Sequence, residues 1–372
     1  MIMKNKTNVI TLVSCCLVIV LLATTFFILP DTALSQKENR SLSQIPQFSF
    51  SELFSGNYTK NLAEYISDQF PLRDVFVSVK AYSELVMGKR ENNGVIYTKD
   101  GTLIAYDNGT QNLLKQNLDT VKVFADAVQK PTYIAILPRT IDVFSEKLPK
   151  SFPYKAHGKL WQEYFEIAKV NGLVAPILYE PLCKQNNYYL TDHHYNSYGA
   201  YQTYAALGEV MGYAPESIEF FKQVTVSKDF CGTSMRASGF YLAPKDEITL
   251  LRYDGDTKYT VTADGKQINL YDFSKLDTTD KYAVFLGGNH ARVDISDDAD
   301  KPRLLVIRDS FADSLAPFLA IHYDLTLIDL RYFTDNVAKI VKKEEIDKVL
   351  VLESIDEFAN AKNISYLRRP IE

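Results

Sequence analysis

One short stretch, Arg303-Leu304-Leu305-Val306-Ile307-Arg308-Asp309-Ser310, joins an uninterrupted apolar run to a polar pair. A run of this length predicts a strand that is buried on both faces, as the strands of parallel sheets are. Three more runs of this kind occur, at 132–137, 325–330 and 349–352. Segments with helical periodicity separate the runs. The pattern therefore predicts an α/β fold whose parallel sheet carries helices on both faces.

The remaining segments complete this outline. Helical spacing of apolar residues predicts helices at 51–90 (with interruptions), 112–128, 161–168 and 197–212. Apolar or alternating runs predict short strands at 94–97, 174–178 and 282–286. Residues 222–275 consist of short alternating stretches and predict a β-rich insertion.

The N-terminal segment has the composition of a transmembrane helix. Residues 9–29 carry no charge, and at about 1.5 Å per residue they form a helix of roughly 31 Å, enough to cross the hydrocarbon core. Lys4 and Lys6 precede this segment and favour a cytoplasmic N-terminus. A cleaved signal peptide is the alternative, with a site near Ala33-Leu34-Ser35 that would give a secreted form. The apolar run is longer than a signal peptide requires, which favours an uncleaved anchor.

This topology predicts three regions and one location. Residues 1–30 form the cytoplasmic N-terminus and the transmembrane anchor, 31–50 a juxtamembrane linker, and 51–372 an extracytoplasmic domain. The protein is expected at the cell membrane as a single-pass protein. With 372 residues, 46% of them hydrophobic, the chain has enough apolar material for a large core. The net charge of −5 and the lack of a basic run argue against nucleic acid as a partner.

Cysteine usage leaves one question open. Cys15 and Cys16 fall in the predicted anchor, so only Cys183 and Cys231 belong to the exported part. A disulfide between them suits an oxidising compartment, and two buried free thiols fit the sequence equally well.

Two separate segments carry residues suited to nucleophilic catalysis. Ser310 directly follows a predicted strand and begins a predicted helix, where open α/β sheets place their reactive groups. In Asp192-His193-His194, the side chains of Asp192 and His194 point to the same side if the segment is extended. A carboxylate so placed can orient an imidazole, which can then take a proton from a serine. The alternatives are a helix cap at Ser310 and a capping Asp192 beside two polar loop histidines.

Two weaker features lie near these segments. Gly288 and Asn289 follow the strand predicted at 282–286 and are candidates for oxyanion or substrate binding, although the same residues suit a plain turn. A metal site would instead use Asp192, His193, His194, His290 and Asp309. Adjacent histidines rarely reach one ion, and neither His-x3-His nor Cys-x2-Cys spacing is present, so no metal is expected.

Several short motifs, in order along the chain, resemble those of the DHHW protein family, which is similar to the SGNH-type alginate O-acetyltransferases. The motifs are Glu38-Asn39-Arg40-Ser41-Leu42 with Pro46, Tyr65-Ile66-Ser67-Asp68-Gln69-Phe70-Pro71-Leu72-Arg73, Asp192-His193-His194-Tyr195, Asp229-Phe230-Cys231-Gly232-Thr233, Phe285-Leu286-Gly287-Gly288-Asn289, and Arg308-Asp309-Ser310-Phe311 with Asp329-Leu330-Arg331-Tyr332. The resemblance implies an SGNH-hydrolase-like (flavodoxin-like) fold. Two positions depart from the motifs: Tyr195 replaces a tryptophan, and Arg308 replaces a glycine.

The resemblance also implies a Ser-His-Asp triad. Asp192 would orient the imidazole, His194 would act as the base and Ser310 as the nucleophile. Gly288 and Asn289 would bind the oxyanion. In an extended segment the side chain of His193 points the other way, into packing or toward the substrate. Chemistry of this kind needs no cofactor, and none is expected.

We therefore expect an acetyltransferase or an esterase that acts on a cell-surface or secreted polysaccharide. The resemblance and the anchor favour a transferase, and a membrane O-acyltransferase would be the partner that supplies the acetyl group. The alternative is a polysaccharide-binding or surface-assembly protein on an SGNH scaffold without catalysis.

Overall fold

The structure is a computed structural model, and it describes residues 2–35, 37–38, 40–106, 113–150, 152, 164, 166–169 and 172–369. The chain divides into two compact units. The first comprises Met1–Lys89 with Gly239–Tyr241, and the second comprises Arg90–Ser238 and Leu242–Glu372. The three regions predicted from the sequence concern membrane topology as well as folding, and their boundaries stay a prediction.

The described helices and strands follow one another in a mixed order. The helices are α1 (Ile2–Ile28), α2 (Phe50–Phe54), α3 (Asn57–Asp68), α4 (Arg73–Val86), α5 (Leu114–Val128), α6 (Thr140–Val143), α7 (Tyr179–Leu182), α8 (Ser197–Met211), α9 (Thr233–Ser238), α10 (Phe311–Leu319), α11 (Val337–Lys343) and α12 (Ile355–Asn360). The strands are β1 (Leu34–Ser35), β2 (Arg40–Ser41), β3 (Glu91–Asn92), β4 (Val95–Tyr97), β5 (Leu103–Ala105), β6 (Thr132–Leu137), β7 (Lys222–Phe230), β8 (Asp246–Arg252), β9 (Thr260–Ala263), β10 (Lys266–Ile268), β11 (Arg292–Ser296), β12 (Arg303–Arg308), β13 (Asp324–Ile328) and β14 (Lys348–Ser354).

A seven-stranded sheet forms the centre of the second unit, with the strand order β10-β9-β11-β13-β12-β14-β6. The four strands β13, β12, β14 and β6 are parallel. They are the four apolar runs of the sequence, whose existence the structure confirms. Their carboxyl ends therefore meet at one edge of the sheet, where open α/β sheets bind ligands.

Helices cover both faces of this sheet. Along β12, Leu304 and Val306 join one buried cluster, which includes residues of α8 and α10. The alternate residues Leu305 and Ile307 join a second cluster, with residues of α5, α11 and α12. Successive strand residues point to opposite faces, so a strand buried on both sides must be apolar at every position.

The sheet is mixed, which corrects the expectation of a purely parallel one. Strands β9, β10 and β11 are antiparallel and extend one edge. The β-rich insertion predicted at 222–275 is therefore divided: β7 and β8 form a separate two-stranded sheet, whereas β9 and β10 join the main sheet. Asp264 and Gly265 both have a positive φ, as the tight turn between β9 and β10 requires.

Two other predicted strands are wrong. Lys281–Val284 forms a 3₁₀ helix, and Leu286, Gly287 and Gly288 have a positive φ, which ends any extended run. The apolar run at 282–286 is buried, and burial alone does not distinguish a strand from other buried backbone. At 174–178, Val174 makes a single bridge to Tyr133. Of the helix predicted at 161–168, most residues lie outside the described part, and the described turn at 166–169 is helical.

The first unit contains α1, the β1–β2 hairpin and α2 to α4. Residues Asn8–Ile28 of α1 have a mean hydropathy of 2.7 and are long and apolar enough to cross a membrane. A signal sequence passes the same test of length and composition. Ion pairs join Arg40 and Arg73 to the carboxylates of Glu38 and Asp68 beyond the end of α1.

The two cysteines that follow α1 in the chain are unpaired. Cys183 and Cys231 are both free thiols and both half-buried. Burial, the main cause, raises the pKa of the Cys183 thiol to about 11, and such a thiol is a weak nucleophile at neutral pH.

Candidate active site

The carboxyl ends of the four parallel strands surround a cavity of about 520 Å³. Each strand contributes residues from the segment that follows it. The cavity residues placed in this way are Arg139 and Thr140 after β6, Ser310 and Phe311 after β12, Arg331 after β13, and Asp356 and Glu357 after β14. The edge predicted from the apolar runs therefore holds the candidate site.

Ser310 is placed between β12 and α10, and its hydroxyl takes no part in capping the helix. The preceding Asp309 performs that function: its carboxylate accepts the backbone N–H of Phe311 at 3.0 Å and that of Ser354 at 2.7 Å. The Ser310 hydroxyl instead lies 2.7 Å from Nε2 of His194. The hydroxyl is thus available for chemistry, and the capping alternative does not describe it.

Asp192, His194 and Ser310 form a hydrogen-bonded series. The Nδ1 of His194 lies 2.6 Å from Oδ1 of Asp192, and the same oxygen accepts the backbone N–H of His194 at 3.0 Å. With a proton on Nδ1 donated to the carboxylate, the lone pair of Nε2 faces the Ser310 hydroxyl. Asp192 and His194 are both buried. The arrangement is that of a nucleophile, a base and an orienting carboxylate.

Thr233, at the start of α9, completes the environment of Asp192. Its backbone N–H and its hydroxyl donate to Oδ2 of Asp192 at 2.6 and 3.0 Å. A Cβ on the preceding residue, Gly232, would lie 2.3 Å from Cβ of Asp192, so only glycine permits this approach. Burial opposes ionisation of Asp192, but the two imidazoles and the hydrogen bonds from His194 and Thr233 outweigh it and hold its pKa well below the ordinary value.

His193 lines the cavity next to Ser310. Its Nδ1 lies 2.6 Å from the Thr233 hydroxyl oxygen, and its ring centroid lies 3.8 Å from that of His194. Because the hydroxyl donates to Asp192, it accepts from Nδ1–H of His193, which leaves Nε2 unprotonated. Desolvation, and then the neighbouring His194, lower the pKa of His193 to about 4. The residue is therefore neutral at physiological pH.

Two tyrosines hold the triad side chains in place. The ring of Tyr282 stacks on His194, with centroids 4.0 Å apart, and its hydroxyl donates to the carbonyl oxygen of Ser310 at 3.1 Å. Tyr195 is fully buried and donates to the carbonyl oxygen of Phe311 at 2.7 Å. Both tyrosines thus join the histidine segment to the segment of the nucleophile.

Carboxylates outnumber guanidinium groups in the cavity lining. Arg139 is paired with Asp142 and Asp356, and Arg331 is paired with Asp329. Asp309 and Glu357 lie in the same lining. Burial raises the pKa of Glu357, and the carboxylates of Asp309 and Asp329 add to this rise while Arg331 opposes it. The lining thus contains three carboxylates, including that of Asp356, and two guanidinium groups, and the raised pKa of Glu357 reduces the excess of negative charge as the pH falls.

Gly288 and Asn289 are not among the residues that line the cavity. Their segment is held elsewhere, because His290 bonds to Asp264 and to the carbonyl oxygen of Leu286. The structure thus brings Asp192, His193, His194 and Ser310 together and leaves Gly288 and Asn289 apart from them. No contact with the cavity supports the oxyanion role that the sequence predicts for Gly288 and Asn289.

The ligand atoms of Asp192, His193 and His194 lie within 4.8 Å of one another, close enough to share a metal ion. Both ring nitrogens of His194 are already hydrogen-bonded, to Asp192 and to Ser310. His193 uses Nδ1 on Thr233, and His290 bonds elsewhere. A metal would have to displace these bonds, so the donor set fits proton transfer better than metal ligation.

Comparison with known proteins assigns the chain to a family. The family model of the DHHW protein matches residues 128–328, more than half of the chain and the whole span from Asp192 to Ser310. The chain belongs to the DHHW protein family.

Solved structures share the fold of this DHHW protein. One is a DHHW family protein from Eubacterium siraeum, with 18% identity and a TM-score of 0.62, covering 76% of this chain and 97% of that one. Another is Bacillus cereus PatB1 with a sulfonyl adduct, with 19% identity and a TM-score of 0.61, covering 73% and 98%.

One curated relative is the "Probable alginate O-acetylase AlgJ" of Pseudomonas putida, 23% identical over 171 residues. The match covers 43% of this chain and 44% of the relative, so the DHHW chain spans less than half the length of the curated protein it matches.

Sequence reasoning missed several residues of the DHHW site. Thr233 belongs to one of the family-like motifs, but the sequence does not predict its bonds to Asp192 and His193. Tyr282 falls in a predicted strand, and the sequence does not predict its stacking on His194. The cavity residues Arg139, Asp356 and Glu357 follow predicted strands, so their position relative to β6 and β14 was the signal that could have found them.

Proposed function

We propose that this protein is a membrane-anchored extracytoplasmic enzyme that transfers or hydrolyses acetyl esters of a cell-surface or secreted polysaccharide, with Ser310, His194 and Asp192 as its triad. The observation that carries the proposal is the hydrogen-bonded series from Asp192 through His194 to Ser310, at 2.6 and 2.7 Å, with Ser310 in the cavity lining. The name of the relative AlgJ, an alginate O-acetylase, supports acyl chemistry on a polysaccharide.

The reaction follows from the proton positions. Ser310 Oγ gives its proton to Nε2 of His194 and attacks the carbonyl carbon of the acetyl ester. His194 then protonates the departing alkoxide, and an acetyl-enzyme remains on Ser310. A sugar hydroxyl, or water, loses its proton to His194 and attacks the carbonyl carbon of the acetyl group. His194 then returns this proton to the departing Ser310 Oγ, which restores the free enzyme. Asp192 stabilises the imidazolium in both steps.

The oxyanion needs a donor close to Ser310. Among the described residues, the backbone N–H of Ser310 donates to no protein acceptor, and it lies at the N-terminus of α10. Free N–H groups at a helix N-terminus stabilise a developing negative charge. We therefore assign this N–H to the oxyanion in place of Gly288 and Asn289.

The apolar helix α1 supports anchoring at the cell membrane, with the second unit outside the cytoplasm. A transferase is preferred to an esterase, because an anchored enzyme stays next to the envelope polysaccharide. A membrane O-acyltransferase is the proposed source of the acetyl group. Polysaccharide binding without catalysis remains the competing function, and the following experiment separates the two.

The test uses the full-length protein and an acetyl ester of nitrophenol, with an oligosaccharide as acceptor. We expect turnover, an acetyl group on Ser310 detectable by intact mass in the absence of acceptor, and acetylated oligosaccharide in its presence. Ser310→Ala should remove the adduct, and His194→Ala should lower turnover by about 10²–10⁴-fold.

His290→Ala is a matched control, because its ring bonds to Asp264 and not to the triad. It should leave turnover near the wild-type rate. Glycan binding that is unaffected by Ser310→Ala and His194→Ala, without any turnover in the wild type, would show that the protein binds polysaccharide and does not modify it.

A further inference from the structure

Helix α4 of the first unit presents large apolar side chains to its surroundings. Leu72, Val75, Phe76, Val79, Val86 and Met87 are between 47% and 88% exposed. Their spacing of three, four or seven residues places them along one side of the helix. We call this set the apolar stripe. Exposed apolar side chains this close together mark an interaction surface.

The opposite side of α4 is already covered within the unit. Ala81, on that side, is fully buried. Tyr82, at the border of the stripe, packs against Phe240 with ring centroids 5.6 Å apart. Val77 lies so close to Gly239 that a Cβ there would meet it at 2.7 Å. The helix therefore has two apolar sides, and only one of them faces its own unit.

The charged residues of α4 border the stripe or lie off it, and Arg73 pairs with Glu38 while Glu84 pairs with Lys80. Ser83 is the polar residue that the same spacing places within the stripe. The rest of the stripe meets its partner through hydrocarbon and aromatic groups. A surface of this kind suits a lipid layer or a second apolar protein surface.

The position of the stripe distinguishes between these partners. The last turn of α1 and the beginning of the stripe line one cavity of about 610 Å³, to which they contribute Phe26, Leu29, Leu72 and Val75. The connection is also fixed by polar contacts, since Thr32 N–H bonds to the side chain of Gln69 at 3.0 Å. The stripe therefore begins where the apolar helix α1 ends.

A second apolar segment lies in the same unit. Ile45, Phe48, Phe50 and Phe54 are exposed, and Phe48 packs against Tyr58 of α3. The match to the DHHW family model begins at residue 128, so neither segment is part of it. Both surfaces belong to the first unit.

We propose that the apolar stripe of α4 lies in the interfacial layer of the membrane that α1 crosses, with phospholipid as its partner. The inference rests on the membrane anchor of the proposed function. Amphipathic helices of this kind place their apolar side about 5–10 Å into the boundary between headgroups and acyl chains. A helix held there would keep the first unit against the bilayer.

The test uses the full-length chain in phospholipid nanodiscs, with the native cysteines replaced by serine and one nitroxide per variant. The label is placed by Val79→Cys on the stripe, by Asp74→Cys off the stripe, and by Val18→Cys in α1. Asp74 is the matched control because it belongs to the same helix, its spacing from the stripe residues places it on another side, and its side chain is 35% exposed. Collision with oxygen, which enters lipid, is compared with collision with a water-soluble nickel chelate.

We expect the label at position 79 to collide several-fold less with the nickel chelate than the label at position 74, and more with oxygen. If the label at position 18 is in lipid while the label at position 79 is in water, this inference is wrong and the anchor is supported. A label at 18 in water would overturn the anchor and this inference together. Shielding of position 79 from both reagents would mean a protein partner, which also contradicts the lipid assignment.

Discussion

The hydroxyl oxygen of Ser310 lies 2.7 Å from Nε2 of His194, although the two residues are 116 positions apart in the chain. Ser310 lies between β12 of the central sheet and α10, whereas His194 belongs to a loop that precedes α8. The loop is held by side chains beyond the triad, since Asp246 of β8 accepts the backbone N–H of Leu190 and of Thr191, both at 2.8 Å. The reactive pair thus depends on how well the loop is fixed to the sheet.

Asp192→Asn tests the orienting carboxylate. The amide keeps the size of the side chain, but it can donate to Nδ1 of His194 and so favour the tautomer whose Nε2 carries a proton. That tautomer cannot take the Ser310 proton, and we expect kcat to fall by about 10³–10⁴-fold. Turnover of the nitrophenyl ester measures the loss, and circular dichroism checks the fold. A fall of less than about tenfold would contradict the role of Asp192.

Thr233→Val tests a positioning residue that touches no reacting atom. Valine keeps the shape but loses the hydroxyl that donates to Asp192 and accepts from His193. The backbone N–H of residue 233 still bonds to Asp192, so we expect a loss in kcat of about 10- to 100-fold with little change in KM. Thr233→Ser restores the hydroxyl and should recover most of the rate. Equal losses in both variants would point to packing as the cause.

The four parallel strands could be predicted because each is buried on both faces and hence continuously apolar. Strand β11, which pairs with β9 and β13, could not, because Arg292 and Asp294 alternate with buried Val293 and Ile295 over only five residues. Its polar side is satisfied by partners remote in sequence: Arg292 pairs with Glu344, and Asp294 accepts from Thr326 of β13. The sequence around β11 does not indicate which distant residues will pair with its polar side chains.

The candidate site shows the same division. The position of Ser310 after a strand and the spacing of Asp192 and His194 could be read locally, and the family resemblance joined them. The contacts of Thr233 depend on the close approach that Gly232 permits, and a glycine in a loop has many other uses. The prediction that Gly288 and Asn289 bind the oxyanion depends on a strand at 282–286, but the structure has a 3₁₀ helix at Lys281–Val284.

The pH dependence of stability should reflect His193, whose pKa is lowered to about 4. The unfolded chain binds a proton on this residue below about pH 6.5, while the folded protein does not until about pH 4. Stability is therefore lost as the pH falls through this window. His193→Gln removes the titrating group, so its Tm should fall less steeply between pH 6.5 and pH 4 than that of the wild type. Parallel curves would mean that His193 does not contribute.

The negative lining of the cavity predicts a preference among glycans. Both cavity arginines are paired with carboxylates, while Asp309 and Glu357 add further negative charge. A polyuronate brings its own carboxylates to this lining and is repelled, whereas an uncharged or amino sugar is not. We expect higher kcat/KM for acetyl esters of neutral oligosaccharides than for those of uronate oligosaccharides of the same length.

Glu357→Gln tests this preference, because it removes one charge from the lining and keeps the shape of the side chain. It should reduce the ratio of the two kcat/KM values by about 3- to 10-fold, mainly because kcat/KM for the uronate ester rises. Added salt should narrow the difference in the wild type as well, since screening weakens the repulsion. Lys342→Gln is the matched control, because it also changes one charge but lies in α11, outside the cavity lining. A preference that neither Glu357→Gln nor salt alters would show that shape, and not charge, selects the glycan.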